Sequence, residues 1–381
     1  MAQDLTASKL FEVQLRLEEM FANGGAPNLD LDPNLNQASS VAALMERAAA
    51  DARPLYDPRG TCRGVNIYHI DGAWTPDATD VSEGFDGEEC DLDVANDPES
   101  VETEYEHNLF AQEGFQISDA DCDNLFNNPA AAGTARIASI IAPRLTVAMK
   151  NLRRKLNDAA IAFLAANSTG VNRDASLPSY ITFAGTTFDV NLGGFFQNPH
   201  SLTDIDAIRD SNDMPNAWLL SGRRNYYNSV IDSRYFRLDD DKRNVSRWSV
   251  DLLGGSNLYF DINRLDAELT GANTFAIMDG SYALWNVQLF DIQPRLVDAS
   301  RNLYEFSIAD PQLRIMDGGT MRPVYYNVLY QFDCDGTDIN GRNVFTHKWL
   351  IRHLGGLAPS PAATDGHTGI LHFVDTFVPG I

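Results

Sequence analysis

A long amphipathic helix is the feature that most constrains how this chain can fold. Between Thr134 and Asn167, apolar residues recur at intervals of three and four: Ile137, Ile141, Leu145, Ala148, Leu152, Leu156, Ala159 and Phe163. Thr134 is a suitable N-cap, and the run Asn167-Ser168-Thr169-Gly170 is typical of a helix end. A helix of this length spans about 50 Å. Pro143 is expected to bend or interrupt it, because proline lacks a backbone donor.

The polar face of this helix carries a basic cluster, made of Lys150, Arg153, Arg154 and Lys155. Two interpretations stay open. The cluster is either a solvated face, or a surface that docks against carboxylates of this chain or of a neighbouring copy.

The segment before the helix is strongly acidic. From residue 65 to residue 135 there are 18 Asp and Glu and no Lys or Arg, although the segment keeps many apolar and aromatic residues. This mixture predicts an extended hairpin anchored on another surface, because two strands alone are marginally stable in water. A solvated acidic lobe is the alternative. Calcium loops at 91–93 and 333–336 are weak candidates, since neither has the expected glycine and glutamate.

The whole chain has 29 Lys and Arg against 53 Asp and Glu, a net charge of -24, which argues against direct nucleic-acid binding. No window is apolar enough for a membrane span, and the start lacks the features of a signal peptide, so we expect a soluble protein made in the cytoplasm. The four cysteines are widely spaced, so reduced thiols are expected more than a bridge between Cys62 and Cys90.

Near the start of the chain, the passage at 23–37 is predicted to form an extended arm with little core of its own. A short amphipathic helix contains Leu10, Phe11 and Phe21, and a Gly-, Pro- and Asn-rich passage follows at 23–37. A second helix is predicted from Ser40 to Ala50, capped by Ser39 or Ser40.

The second half of the chain changes from helices to strands. Strands are predicted at 179–183, 186–192 and 217–220, with helices at 201–210 and 223–233. Further strands follow at 274–278, 284–292, 303–308, 324–332 and 345–353. Because helices and strands do not alternate regularly, the fold class is α+β.

The sequence contains no recognisable catalytic signature: the nucleophile elbow, phosphate loop, dinucleotide turn and zinc-protease helix are all missing. Its seven histidines form no metal-like cluster, and His347 and His353 are expected on one face of a strand about 20 Å apart. We therefore expect no catalytic residue, no cofactor and no metal. A secreted carbohydrate-active enzyme with two carboxylates is kept as an alternative.

Two stretches carry a resemblance to a known family. One contains SLTDIDAIR from Ser201, NAWLLS from Asn216 and YYNSVI from Tyr226; the other is NTFAIMDGSYALW from Asn273. Their residue types, and the order of elements along the chain, resemble the major capsid proteins of tailed bacteriophages, the Hong Kong 97-type fold that encapsulins also use.

This resemblance implies five parts of the chain: an N-terminal arm at 1–60, an acidic extended loop at 61–130, a peripheral domain with the spine helix at 131–194, an axial domain at 195–285, and a strand-rich return with a C-terminal arm at 286–381. It implies hexamers and pentamers of an icosahedral shell around double-stranded DNA, assembled in the host cytoplasm. An encapsulin-like compartment or a tail-tube protein is the alternative.

The resemblance also implies partners and contact residues. The main partner is the chain itself, with portal, scaffolding and cement or decoration proteins in addition, DNA only by non-specific proximity, and no membrane. The predicted inter-subunit residues are Leu10, Phe11, Phe21, Trp74, Phe85, Tyr105, Phe110, Lys150, Arg153 and Arg154. Because the extended loop contains no lysine, a crosslink from a loop lysine to an asparagine, known in some relatives, is excluded.

Overall fold

The computed structural model describes residues 15, 39–48, 52–56, 62–70, 100–118, 132–173, 177, 179, 181–190, 201–214, 216–223, 249–251, 257–262, 264–317, 320–337, 343–360 and 366–375. The described helices are α1 (Ser40–Glu46), α2 (Ala132–Ala166), α3 (Ser201–Ser211) and α4 (Leu265–Glu268). The first ten strands are β1 (Ala52–Tyr56), β2 (Cys62–Ile70), β3 (Ser100–Glu106), β4 (Leu109–Ser118), β5 (Ile181–Ala184), β6 (Thr187–Val190), β7 (Trp218–Ser221), β8 (Ser249–Asp251), β9 (Asn257–Phe260) and β10 (Ala272–Ile277). The others are β11 (Tyr282–Asn286), β12 (Arg295–Asp298), β13 (Leu303–Asp317), β14 (Thr320–Thr337), β15 (Asn343–Pro359) and β16 (Ile370–Asp375).

The predicted mixture of helices and sheets is confirmed, and so is one long helix. Helix α2 continues through Pro143 without a break. It begins at Ala132, two residues before Thr134, so the predicted N-cap position is wrong. Leu145, Leu152 and Leu156 are fully buried along one side of it. This apolar stripe is what holds α2 against the sheet beside it.

That sheet, here called the central sheet, has the order β11-β15-β14-β13-β12. Strand β4 belongs to the same sheet and also pairs with β15. Phe306, Val328 and Ile351 are register partners across three strands, and all are buried in the core that α2 covers. Their sequence neighbours Glu305, Leu329 and Leu350 point to the opposite face and are only half-buried. The central sheet therefore has one covered face and one open face.

Helix α1, which lies within the predicted N-terminal arm at 1–60, packs into the core of the body. Leu44 and Met45 are fully buried, and the predicted Ser39 cap is confirmed, since its hydroxyl accepts a hydrogen bond from the Ala42 amide at 3.3 Å. The buried carboxylate of Asp261 anchors the helix: it accepts bonds from the Ser40 amide at 3.1 Å, the Ser40 hydroxyl at 2.8 Å and Asn157 Nδ2 at 2.8 Å.

A second sheet, the mixed sheet, has the order β5-β6-β16-β10-β7-β9-β8 and includes two parallel pairs. Its second core joins α3 to the sheet through residues such as Ile208, Phe188, Leu219 and Phe373. Strands β5 and β6, from the predicted peripheral domain at 131–194, lie in the mixed sheet with β16, and β11, from the predicted axial domain at 195–285, lies in the central sheet.

The third sheet, the small sheet, contains β1, β2 and β3. The predicted acidic hairpin is present as the β2–β3 pair, in which Ile70 pairs with Ser100. Two details differ from the prediction: β1 adds a third strand, and β4 leaves the hairpin to pair with β15 from Gly355 to Thr346. Within the predicted extended loop at 61–130, the small sheet ends at Glu106 and β4 belongs to the central sheet.

Candidate assembly surfaces

The small sheet is attached to the body at one end, through a cluster around Trp285. Val65, Trp285 and two alanines, Ala283 and Ala358, form a separate buried cluster, with Tyr105 and Val287 packed beside it. Trp285 lies so close to β15 that a β-carbon at residue 356 would be 1.8 Å from its Cζ2 atom. Glycine at 356 is therefore required for this contact.

Hydrogen bonds reinforce the same junction. The Tyr105 hydroxyl donates to the carbonyl of Pro359 at 3.1 Å, and burial raises the pKa of that phenol. Asn108 donates from Nδ2 to the carbonyl of Leu357 and accepts from its amide, both at 2.8 Å. Trp285 Nε1 donates to Nδ1 of His107 at 3.2 Å. The short link between β3 and β4 is thus held on the body by side chains.

Arg153 does not lie at the surface, which corrects its prediction as an inter-subunit residue. It is 4% exposed, and its guanidinium forms a bidentate ion pair with Asp310 of β13, with Nε donating to Oδ2 at 2.8 Å. Burial opposes the charge, but the Asp310 carboxylate outweighs it, so the pKa of Arg153 is raised. Tyr326 also donates to Asp310 at 2.8 Å. The carboxylate that Arg153 meets belongs to its own chain.

The other basic residues of α2 differ in their surroundings. Lys155 pairs with Glu113 of β4 at 2.6 Å and donates to the Gln112 carbonyl at 3.0 Å, so it contacts its own chain. Arg154 is exposed and Lys150 is half-buried. Contact of Arg154 and Lys150 with a neighbouring copy stays a prediction.

The predicted aromatic anchors fall into two groups. Leu10, Phe11, Phe21, Trp74 and Phe85 lie outside the described residues. Tyr105 is half-buried on its own body, and Phe110, on β4, is 54% exposed. Phe110 remains a prediction for contact with another copy.

Sequence reasoning missed one apolar surface. Residues 287–301, here called the crossover segment, lead from β11 through β12 to β13, and they expose Leu289, Ile292, Leu296 and Val297. The prediction of a single strand over 284–292 hid this segment, because a strand would alternate its faces. Pro294, together with the polar residues Gln288 and Asp291, was the available signal that the strand ends early.

Three of the described histidines, His347, His353 and His372, are buried within the sheets. Burial lowers the pKa of His347, His353 and His372 to about 4. His347 contacts the Tyr330 hydroxyl at 2.7 Å, and His372 contacts Asn273 at 3.0 Å. Among the described residues no group of His, Cys, Asp and Glu is placed to hold a metal ion. The weak calcium candidate at 91–93 and Cys90 lie outside them.

The same part of the chain contains no helix that is both long and apolar enough to cross a membrane.

Comparisons with known proteins give structural likenesses only. No family model and no curated protein matches the chain. A solved chain from Gordonia phage Cozz is 13% identical, with a TM-score of 0.40 over 90% of this chain and 88% of that one. A chain from the capsid structure of cyanophage P-SCSP1u is 12% identical, with a TM-score of 0.37 over 89% of each chain. A chain from Microbacterium phage Oxtober96 is 13% identical, with a TM-score of 0.37 over 93% and 96%. All three TM-scores are below 0.5, so these likenesses carry no conclusion about function.

Proposed function

We propose that this chain is the major capsid protein of a tailed bacteriophage, a structural subunit that assembles into hexamers and pentamers of an icosahedral shell around double-stranded DNA. The observation that carries the proposal is the small sheet, whose described contacts with the body are concentrated around Trp285 at one end. Ile70 and Ser100 lie at the other end, five residues from Val65 and Tyr105, or about 17 Å at 3.3 Å per residue.

The chain between Ile70 and Ser100 starts and ends at the end of the small sheet that lies away from the body. This position supports a role in assembly. This segment, 71–99, keeps Trp74 and Phe85 among 11 Asp and Glu. An apolar and acidic segment placed in this way gains stability by packing on another copy, as in obligate assemblies. Its placement favours self-association over a monomeric enzyme.

The charge of the chain supports an acidic container for DNA. A protein with a net charge of -24 repels the phosphate backbone instead of binding it, so packaged DNA would be held by confinement. We therefore propose that DNA is a neighbour by proximity. Portal, scaffolding and cement or decoration proteins are proposed as further partners.

The oligomeric state of the purified chain tests this proposal. We expect closed shells with five- and six-fold capsomers by electron microscopy, and a sedimentation coefficient far above that of a 42.1 kDa monomer. A compact monomer at micromolar concentration, with or without a scaffolding partner, would overturn the proposal. Small shells around an enzyme cargo would favour the encapsulin-like alternative, and stacked rings would favour a tail tube.

A further inference from the structure

The chain crosses three times between the mixed sheet and the central sheet with its helix α2. The first link joins α2 to β5 and is described at 167–173. The second joins β10 to β11 at 278–281, and the third joins β15 to β16 and is described at 360 and 366–369. The place where these three links meet is here called the joint.

Hydrogen bonds between the links close the joint. The Thr169 amide donates to the carbonyl of Ile370 at 2.8 Å and the Gly170 amide to that of Gly366 at 3.2 Å, which bonds the first link to the third. The Met278 amide donates to the carbonyl of Gly369 at 3.0 Å, which bonds the second link to the third. Because all three crossings are bonded at one place, a change there alters how the two sheets are held together.

A buried histidine lies inside this joint. Gly366 and Gly369 enclose the pair His367-Thr368 and have φ angles of +79° and +72°, which residues with a side chain rarely adopt. His367 is 2% exposed, and neither ring nitrogen has a hydrogen-bond partner among the described residues. The buried hydroxyls of Thr368 and Ser281 have none either. Since buried polar groups without partners gain hydrogen bonds to water on exposure, these groups favour opening of the joint.

The other three buried histidines are placed differently. His347, His353 and His372 lie within strands, and each has one ring nitrogen within 3.3 Å of a hydrogen-bonding group. Exposing them requires strands to separate. His367 lies between strands, so a local movement of the links is enough to expose it.

Two charged side chains face His367: Arg173 of the first link, and Asp213, which follows α3. They pair with each other at 3.1 Å. Asp279, the charged residue of the second link, pairs instead with Arg47 at 3.6 Å. Burial lowers the pKa of His367 most and the Arg173 charge lowers it further, whereas the Asp213 carboxylate opposes both. The closed joint therefore accommodates the neutral imidazole better than the charged one.

We propose that His367 is a pH-sensitive latch on the joint between the two sheets. The neutral imidazole packs inside the closed joint. Protonation places a cation beside Arg173 in a buried site, so the imidazole moves towards water and the third link separates from the first link and from the end of α3. This opening loosens the mixed sheet from the central sheet. The inference goes beyond the proposed function, because it concerns movement within one subunit and does not require assembly.

The titration of one histidine sets the direction and the size of the effect. The pKa of His367 is about 6.5 when it is exposed and lower in the closed joint, so the open form binds more protons as pH falls below 6.5. The joint is therefore held most firmly above pH 6.5. Its closing equilibrium constant decreases by up to about tenfold between pH 7.5 and 5.5, and stops decreasing below the pKa of the closed form.

Hydrogen exchange of the full-length chain, read by mass spectrometry and corrected for the intrinsic effect of pH, tests this proposal. The amides of Thr169, Gly170 and Met278 report on the joint, and that of Val328 in β14 reports on the core. We expect joint amides to be less protected than the core and to lose up to about tenfold of their protection from pH 7.5 to 5.5. Equal protection of joint and core at each pH, or joint protection that does not change, overturns the latch.

Two substitutions separate the latch from a structural role of the ion pair. Arg173→Gln and Asp213→Asn both remove this pair, but they shift the pKa of His367 in opposite directions. Asparagine tolerates the φ of 60° at residue 213. We expect joint protection to depend less on pH than in the wild type for Arg173→Gln, and to keep falling to lower pH for Asp213→Asn. The same change in both variants contradicts a role for His367.

Replacing the histidine itself completes the test. We expect His367→Gln to remove the pH dependence of exchange at the joint. His372→Phe is the matched control, because it removes a buried histidine within a strand and should leave the pH dependence at the joint in place. A His367→Gln chain that keeps the wild-type dependence overturns the proposal. If this variant does not fold, the wild-type profile and the two charge variants decide the question.

Discussion

Arg153 of α2 and Asp310 of β13 form a bidentate ion pair in the core of the subunit, where neither side chain is more than 5% exposed. Removing one partner leaves the other charge buried, which typically costs about 3–5 kcal/mol. We therefore expect Arg153→Met to lower the free energy of unfolding by about this amount. Chemical denaturation of purified subunits measures the change.

The matched control for this prediction is Arg154→Met, one residue further along the same helix. Arg154 is exposed, so its removal should change stability by less than about 0.5 kcal/mol. Similar losses in the two variants would show that the ion pair with Asp310 is not what stabilises this site.

The contact between Trp285 and Gly356 leads to a second prediction. In Gly356→Ala the new methyl group meets the indole ring, so the ring or the strand must move, and we expect a loss of about 1–3 kcal/mol. Gly170→Ala is a suitable control, because a β-carbon there has no neighbour within 4 Å. Thermal unfolding of both variants tests the difference. A Gly356→Ala melting temperature equal to that of the control would contradict the close packing.

The buried carboxylate of Asp261 gives a third prediction. It accepts hydrogen bonds from Ser40 of α1, Asn157 of α2 and the Arg264 amide. We expect Asp261→Ala to lower the free energy of unfolding by about 2–4 kcal/mol, since it leaves several buried donors without an acceptor. Ser211→Ala, which removes an exposed hydroxyl bonded to its own helix, is the control. Hydrogen exchange should show early opening of α1 in Asp261→Ala, and unchanged exchange in α1 would count against its anchoring role.

Three buried histidines predict that stability falls in mild acid. The pKa values of His347, His353 and His372 are about 4 in the folded chain and about 6.5 when unfolded. The unfolded state therefore binds more protons between pH 6.5 and 4, so folding stability is fully present above pH 6.5 and decreases as pH falls towards 4.

Each of these histidines should contribute on the order of 2 kcal/mol of loss by pH 4.5. Urea midpoints at pH 7.5, 5.5 and 4.5 measure the loss, and His372→Phe should reduce its pH dependence. A wild-type midpoint that stays constant over this range would contradict the neutral buried state.

Sequence periodicity predicted those elements in which the regularly spaced apolar residues are also the buried residues. The stripe containing Leu145, Leu152 and Leu156 predicted α2 because one helix face is fully buried. Strand β4 lies inside the predicted extended loop at 61–130, because the acidic composition of a segment does not identify the partner of each strand in it. Strand β4 pairs with β15, which lies more than 200 residues further along the chain. This pairing depends on tertiary contacts, which a local sequence pattern does not contain.

The candidate surfaces were predictable only in part, for a similar reason. Sequence alone places Arg153 and Arg154 in one basic cluster, yet the two lie about 100° apart around a helix axis. Only the position of α2 on the central sheet decides that Arg153 points to Asp310 and Arg154 to solvent. The crossover segment was hidden because its apolar residues have the composition of a strand, and only the early end of β11 at Asn286 reveals their exposure.

Charge reversal at these two neighbouring arginines separates folding from assembly. Arg154→Glu changes an exposed residue, so we expect a folded subunit whose association with other copies is weaker and more sensitive to salt. Arg153→Glu places a second carboxylate beside Asp310 inside the core, and we expect it to prevent folding. Circular dichroism reports the fold of each variant, and sedimentation velocity at 50 mM and 500 mM salt reports its association, where roughly tenfold in ionic strength changes screening strongly. Unchanged association of Arg154→Glu at both salt concentrations would exclude Arg154 from the interface, and a folded Arg153→Glu subunit would contradict the buried ion pair.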